Sequence, residues 1–169
     1  MTKLALPKID RKLISKKNDI VIELKKIVKA ENVLDHEDET RPFETDALSA
    51  YKQKPLIVIF PENTEEVSKI LRYCNQKRIK VVPRGAGTGL SGGALPLSDC
   101  VLLCLSKFNK IINIDYKNRC VVAQPGVTNL AITQAVQSRG FYYAPDPSSQ
   151  IACSIGGNVA ENSGGVHSL

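Results

Sequence analysis

The sequence predicts an α+β fold, and three observations carry the prediction. Residues 56–82 read as apolar run, amphipathic stretch, apolar run, the pattern of a β-α-β unit. Three further strand-like runs, at 101–105, 111–114 and 119–123, lead into another helical stretch at 128–139 and imply part of a second, mixed sheet. At 169 residues the chain has the length of about one domain.

The elements follow in chain order. Residues 8–30 are expected to form one helix, because Ile9, Leu13, Ile20, Leu24, Ile27 and Val28 recur at helical spacing with lysines between them. An acidic stretch over 35–39 follows, then a loop over 40–55 with Arg41-Pro42 and Lys54-Pro55 as breakers. Leu56 to Phe60 reads as a buried strand. Asn63 is the N-cap of the next helix, with Glu66 as its capping-box partner. That helix should turn Val67, Ile70, Leu71 and Cys74 inward and stop near Lys77. Residues 79–82 form the returning strand, normally reached by a right-handed crossover. In the later helix, Thr128 is the cap and Gly140 the stop. The tail over 145–165 is rich in Pro, Ser, Asn and Gly. No internal repeat occurs. The expected division is an N-terminal helix and lead-in over residues 1–50 and one domain over 51–169.

Composition narrows the function classes. The net charge is +6, but the basic residues are spread rather than clustered. Aromatics make up 5% with no Trp, which leaves few stacking platforms for single-stranded nucleic acid, so no nucleic-acid partner is expected. The longest apolar runs, Leu56–Phe60 and Val101–Leu105, fall far short of the roughly 18 residues of a membrane span. The N-terminus lacks the apolar core of a secretory signal. Cys74, Cys100, Cys104, Cys120 and Cys153 contain no CxxC pair, and the histidines are His36 and His167 alone, so no metal site is expected. Reduced, mostly buried thiols are the expectation.

Two stretches carry chemistry. The first, Pro83-Arg84-Gly85-Ala86-Gly87-Thr88-Gly89-Leu90-Ser91-Gly92-Gly93, leaves a strand, and five of its eleven residues are glycine. Glycines permit positive φ and close backbone approach. Successive amides folded this way make an anion-binding nest suited to a phosphate or pyrophosphate. Thr88 and Ser91 can add hydroxyl donors, and Arg84 a charge. Gly87 to Gly92 spells GxGxxG, but no helix opens behind it: Pro96 follows, Asp99 is too near and Asp115 too far for the ribose-binding acid of a nicotinamide site. A Walker A loop is excluded, because no Gly-Lys-Ser/Thr triplet occurs. An idle turn is the bland alternative, disfavoured by the entropy of ordering so many glycines without a ligand. The second stretch runs from Pro145 to Gly165 and holds two Gly-Gly pairs eight residues apart. Its small residues, amides and hydroxyls suit packing against a flat polar ligand such as a nucleotide or flavin ring; an ordinary loop is the alternative.

Together with Glu44-Thr45-Asp46-Ala47-Leu48-Ser49-Ala50-Tyr51 and Pro55-Leu56-Ile57-Val58, these stretches resemble the PCMH-type FAD-binding domain of the vanillyl-alcohol oxidase class of FAD-linked oxidases. Within that class the resemblance is to the flavin subunit of glycolate oxidase and its D-lactate and D-2-hydroxyglutarate dehydrogenase relatives. It spans about residues 10–169. It implies a PCMH-type FAD-binding domain, a β-α-β subdomain plus part of a second mixed sheet, truncated at the C-terminus.

The resemblance also implies site residues. Pro83, Arg84, Gly85, Ala86, Gly87, Thr88, Gly89, Leu90 and Gly92 would hold the FAD pyrophosphate with backbone amides. Pro145, Asp146, Ser148 and Ser149 would line the nucleotide and the flavin edge. Ser154, Ile155, Gly156 and Gly157 would pass along the cofactor, with Asn158, Gly164 and Gly165 nearby. Thr88 stands where relatives with a covalent flavin often carry histidine, which implies non-covalent FAD. Cys153 is read as a packing residue.

Family enzymes are considerably longer, and their cap supplies the groups that activate a 2-hydroxy acid. No catalytic residue is therefore assigned here, His167 included. The reading is the FAD-binding N-terminal portion of a FAD-linked 2-hydroxy-acid oxidoreductase, partnered by a complementing chain or other oxidoreductase subunits. It is expected in the cytoplasm, peripheral to the inner membrane face through those partners. A non-catalytic gene remnant is one alternative. A flavin subunit like that of molybdenum hydroxylases is another, disfavoured by the 45–51 segment.

Overall fold

The computed structural model describes residues 7–167. Its main sheet has four strands: β1 (Val33–Leu34), β2 (Ile57–Ile59), β3 (Lys80–Arg84) and β4 (Cys100–Cys104). The order is β1-β2-β4-β3, with β1 antiparallel to β2 and the other pairs parallel. β4 therefore lies between the two strands of the β-α-β unit, which do not pair with each other. β3 is an edge strand, and that is why Pro83 is tolerated inside it. Val58, Leu102 and Val82 stand in one register row.

The strands are apolar on both faces because both are covered. Ile57, Ile59, Val101 and Leu103 face a core that includes Leu24, Ile70 and Cys74. Val58, Leu102 and Cys104 face the other side, with Phe43, Phe60 and Val82 against them. Cys100 and Cys104 are both buried free thiols, as are Cys74 and Cys153, whereas Cys120 is exposed.

The helix expected over 8–30 is two short helices, α1 (Arg11–Ile14) and α2 (Lys17–Leu24), followed by a 3-10 turn at Ala30–Asn32. The break falls where the Ser15 hydroxyl donates to the Lys12 carbonyl at 2.9 Å, the local competition that makes serine a poor helix-interior residue. Asp10 caps α1, accepting from the amides of Lys12 and Leu13. α2 buries Ile20, Val21 and Leu24 in the same core as the sheet, so the lead-in packs as part of the domain. α3 (Glu37–Thr40) and a 3-10 turn (Arg41–Phe43) occupy the acidic stretch and the loop start.

α4 (Thr64–Lys77) starts as expected: the Asn63 side chain accepts from the Glu66 amide at 2.9 Å. The Glu66 carboxylate accepts from the Glu62 backbone amide and from the Asn63 side-chain amide rather than from the Asn63 backbone N–H. Ile70 and Cys74 are buried, but Leu71 is 44% exposed, at the margin of the apolar face.

β5 (Ile111–Asp115) and β6 (Cys120–Ala123) form a separate antiparallel pair. α5 (Asn129–Val136) follows, capped by Thr128 and extended by a 3-10 turn that Gly140 ends at φ +75°. The tail, to which no helix is assigned from sequence, holds α6 (Ile155–Glu161), capped by Ser154.

Candidate functional site

The glycine loop leaves the end of β3, two segments close on it, and a third is tied to the second. Arg84 holds the first. Its Nη1 donates to the carbonyl of Thr45 at 2.8 Å and of Phe43 at 3.4 Å, and the guanidinium lies 5.9 Å over the Phe43 ring. The Ala47 amide donates to the Gly87 carbonyl at 2.9 Å. Gly87 has φ +73°, and a Cβ there would stand 2.7 Å from Arg84 Cζ. The charge assigned to a ligand from sequence thus straps residues 43–47 to the loop. Within that strap Asp46 is 6% exposed. Its Oδ1 accepts from the Leu48 amide at 2.9 Å, while Oδ2 is buried and has no partner.

The loop itself is open. Among the described residues, no hydrogen bond is donated by the amides from Ala86 to Leu90. Gly92, at φ +77°, lies beside Leu48. Gly87 and Gly92 have positive φ, and the amides between them donate no hydrogen bond among the described residues, so these are donors that an anion nest could use.

α6 runs along the loop as the second segment. A Cβ on Gly85 would overlap Ser154 Oγ, and Gly93 stands near the Glu161 carboxylate. The helix start is internally satisfied. Ile155 N donates to Val127 O at 2.8 Å, Gly156 N to Pro125 O at 2.9 Å, and Gly157 N to Ser154 Oγ at 3.3 Å. A Cβ on Gly156 would lie 2.7 Å from Pro125 Cβ, so this glycine is required for packing. These residues form a wall beside the loop, and their amides are already paired.

The third segment is tied to α6 through side chains. Asn158 donates to Asn129 Oδ1, and Asn129 donates to the Pro145 carbonyl at 2.8 Å. Asp146 N donates to Gly164 O at 3.0 Å, and Asp146 and Gly165 form a parallel bridge. His167 Nδ1 meets Asp146 Oδ2 at 2.9 Å. Burial pushes the Asp146 carboxyl up, but its hydrogen bonds with His167 outweigh that and hold it below the usual range. Ser149 closes a turn, its carbonyl accepting from Ala152 and Cys153.

The structure therefore gathers the loop, the 154–158 wall and a flanking cluster of Pro145, Asp146, Gly164 and Gly165. Sequence reasoning missed Asp46 and Asn129 as members. Asp46 lay in a motif already singled out. Asn129 follows the capping Thr128, and no sequence signal marked its burial. An apolar groove of about 580 Å³ lies between the β5–β6 pair and helices α5 and α6, lined by Ile155 of that wall and by Ile114, Val121, Ile132, Val136 and Val159 among others.

Comparison with known proteins bears on this arrangement. The family model described as "FAD binding domain" matches residues 55–169. The chain is 52% identical over 165 residues to the glycolate oxidase subunit GlcD of Escherichia coli, covering 98% of this chain and 32% of that protein. It is 36% identical over 150 residues to a D-lactate dehydrogenase of Anaerostipes hadrus, covering 88% and 31%. A solved alkyldihydroxyacetonephosphate synthase superposes with TM-score 0.76 at 20% identity, over 96% of this chain and 32% of that one, which shows the fold. The chain spans about a third of the length of the curated relatives it matches.

Proposed function

This chain belongs to the FAD binding domain family, whose cofactor is FAD, and from that premise we propose that it is the FAD-binding portion of a FAD-linked 2-hydroxy-acid oxidoreductase. The substrate class follows from the relatives' names, since glycolate and D-lactate are both 2-hydroxy acids. The observation that carries the reading is the strapped glycine loop with unpaired amides from Ala86 to Leu90.

The residues present fit the cofactor. Those amides suit a pyrophosphate, and Asp46, next to the Ala47 that bonds Gly87, keeps a buried carboxylate oxygen that can accept from a ligand hydroxyl. In this reading the loop Pro83–Gly92 binds the pyrophosphate, and Arg84 keeps the loop in shape from behind. Ser154 to Gly157 and Asn158 wall the site, and Pro145, Asp146, Ser148, Ser149, Gly164 and Gly165 border it. Bound flavin would supply the two-electron redox chemistry, and the chain's part is to bind and orient it. Thr88 in place of histidine supports non-covalent attachment. The division into a lead-in over 1–50 and the FAD domain over 51–169 is kept as a boundary in sequence, where the family match starts at residue 55, because α2 and β1 of the lead-in pack into the same core and sheet as the rest.

The remaining two thirds of the relatives' length supplies the substrate site in this reading. The groove between β5–β6 and the helices, with the edges of a two-stranded sheet beside it, suits packing of that remainder. Other oxidoreductase subunits are proposed as partners on the strength of the relative's name as a subunit, with cytoplasmic placement and peripheral docking at a membrane through them. No helix among the described residues is long and apolar enough to cross a membrane.

The test is co-expression with a polypeptide covering the unmatched remainder of the Escherichia coli relative. A co-purifying complex with bound flavin that reduces on adding glycolate or D-lactate is expected. A complex that binds flavin but is reduced by neither acid overturns the substrate class.

A further inference from the structure

Asp46 is conspicuous on three counts. It is 6% exposed, and its Oδ2 is the one buried side-chain nitrogen or oxygen among the described residues that has no hydrogen-bond partner. Its other acceptors are in use: Oδ1 takes the Leu48 amide at 2.9 Å, and its carbonyl takes the Thr45 hydroxyl at 3.0 Å. The obvious cation nearby is committed elsewhere, since Arg84 donates to the carbonyls of Thr45 and Phe43. An unpartnered buried carboxylate oxygen is costly, and such groups are retained where a ligand completes them.

The position limits what that ligand group is. The next residue, Ala47, is hydrogen-bonded to Gly87 at the neck of the nest. A carboxylate cannot accept from phosphate oxygens and repels their charge. A metal ion is disfavoured, because no group of three His, Cys, Asp or Glu side chains able to hold one occurs among the described residues. What flanks a pyrophosphate in a dinucleotide is a sugar or polyol, and its hydroxyls are donors. Among the described residues the neighbouring loop's amides from Ala86 to Leu90 donate no hydrogen bond, so that loop can yield as a ligand seats.

We propose that Asp46 is a positioning residue for the dinucleotide, its Oδ2 accepting a hydrogen bond from a hydroxyl of the ribose or ribitol next to the pyrophosphate. This rests on the FAD-binding reading above. The residue then has two separable tasks: Oδ1 shapes the turn that straps the loop, and Oδ2 reads the ligand.

The substitution Asp46→Asn separates them, because an amide keeps one oxygen for the Leu48 amide but offers the ligand a donor instead of an acceptor. Asp46→Ala removes both. Melting temperature of the ligand-free protein and equilibrium affinity for FAD, ADP and FMN are measured for wild type and both variants. Asp46→Asn is expected to bind FAD about tenfold to a hundredfold more weakly, the range for a hydrogen bond to a charged group, while melting at or above the wild-type temperature. Asp46→Ala is expected to lose both affinity and stability. A loss confined to ADP puts the hydroxyl on the ribose, and one confined to FMN puts it on the ribitol. Wild-type FAD affinity in Asp46→Asn, or a melting loss equal to that of Asp46→Ala, overturns the proposal. Failure of the wild-type protein to bind FAD at all overturns instead the reading on which it rests.

Discussion

Gly87→Ala tests the strapped loop most sharply, because Gly140→Ala supplies its control. Both glycines sit in the left-handed region, at φ +73° and +75°. Any Cβ residue there costs about 1–2 kcal/mol. At Gly140 nothing lies within 4 Å of the new Cβ, so that is the whole cost. At Gly87 the Cβ would stand 2.7 Å from Arg84 Cζ. The guanidinium is the far end of a flexible side chain, so moving it is cheap in itself. What is lost is its hydrogen bond to the Thr45 carbonyl, about 1.5–3 kcal/mol for a charged donor. The totals are roughly 1–2 kcal/mol against roughly 2.5–5 kcal/mol. In a chain of this size 1 kcal/mol moves the melting temperature by about 2–4 °C. Gly140→Ala should therefore melt roughly 2–8 °C low and Gly87→Ala roughly 5–20 °C low. FAD affinity should be unchanged in the first and at least about tenfold weaker in the second, one charged hydrogen bond's worth of order in the loop. Calorimetry and equilibrium titration below both melting temperatures read the two effects. Equal melting losses with unchanged FAD affinity in both variants would refute the argument.

Three other outcomes are expected. Asn158→Ala leaves the buried Asn129 oxygen without its donor and should cost about 1–3 kcal/mol, read as a lowered denaturant midpoint; an unchanged midpoint would show that the Asn pair is not load-sharing between α5 and α6. For Asp99, burial pushes the carboxyl up, but the hydrogen bond from Lys80, the Asp10 amide and the Lys80 charge outweigh it and hold it below the usual carboxylate range. A depressed carboxyl stabilises the fold fully above its unfolded value, about 3.9, and that contribution disappears as pH falls through the folded value. Asp99→Asn should flatten the acid limb of a stability–pH curve below about pH 4, and an unaltered limb would remove the Lys80–Asp99 pair from the account. Burial pushes the Cys74 and Cys100 thiols up to about 11 and that of Cys104 to about 12. Under native conditions at neutral pH, a thiol reagent should therefore label exposed Cys120 first, with the buried thiols following only on unfolding; peptide mapping of the alkylated protein checks the order.

The legible parts of this protein were those whose causes are local. The start of α4 was visible because Asn63 and Glu66 act within one turn. The glycine loop was visible because its glycines follow an apolar strand, and its role depends on backbone conformation that glycine alone provides cheaply. α6 was hidden because Gly156 and Gly157 lower helix propensity, while what holds the helix comes from afar, the carbonyls of Val127 and Pro125. The single helix over 8–30 was over-read, since periodicity does not register a serine that ends a helix with its own hydroxyl. Arg84 and Asp46 carried their types openly, but Arg84 acts on Thr45, about forty residues away in the chain, and Asp46 sits beside Ala47, which bonds Gly87 across a similar distance. Only the folded strap decides that the cation serves the loop and the carboxylate is left unpaired.

Amide hydrogen exchange with and without FAD tests the central claim most directly, because it reads the loop's donors themselves. The account predicts that Ala86 to Leu90 exchange freely in the ligand-free chain and are slowed when FAD is added, while Ile155, Gly156 and Gly157, already paired, change little. Slowed exchange at the start of α6 with none in the loop would contradict it and move the dinucleotide to the helix.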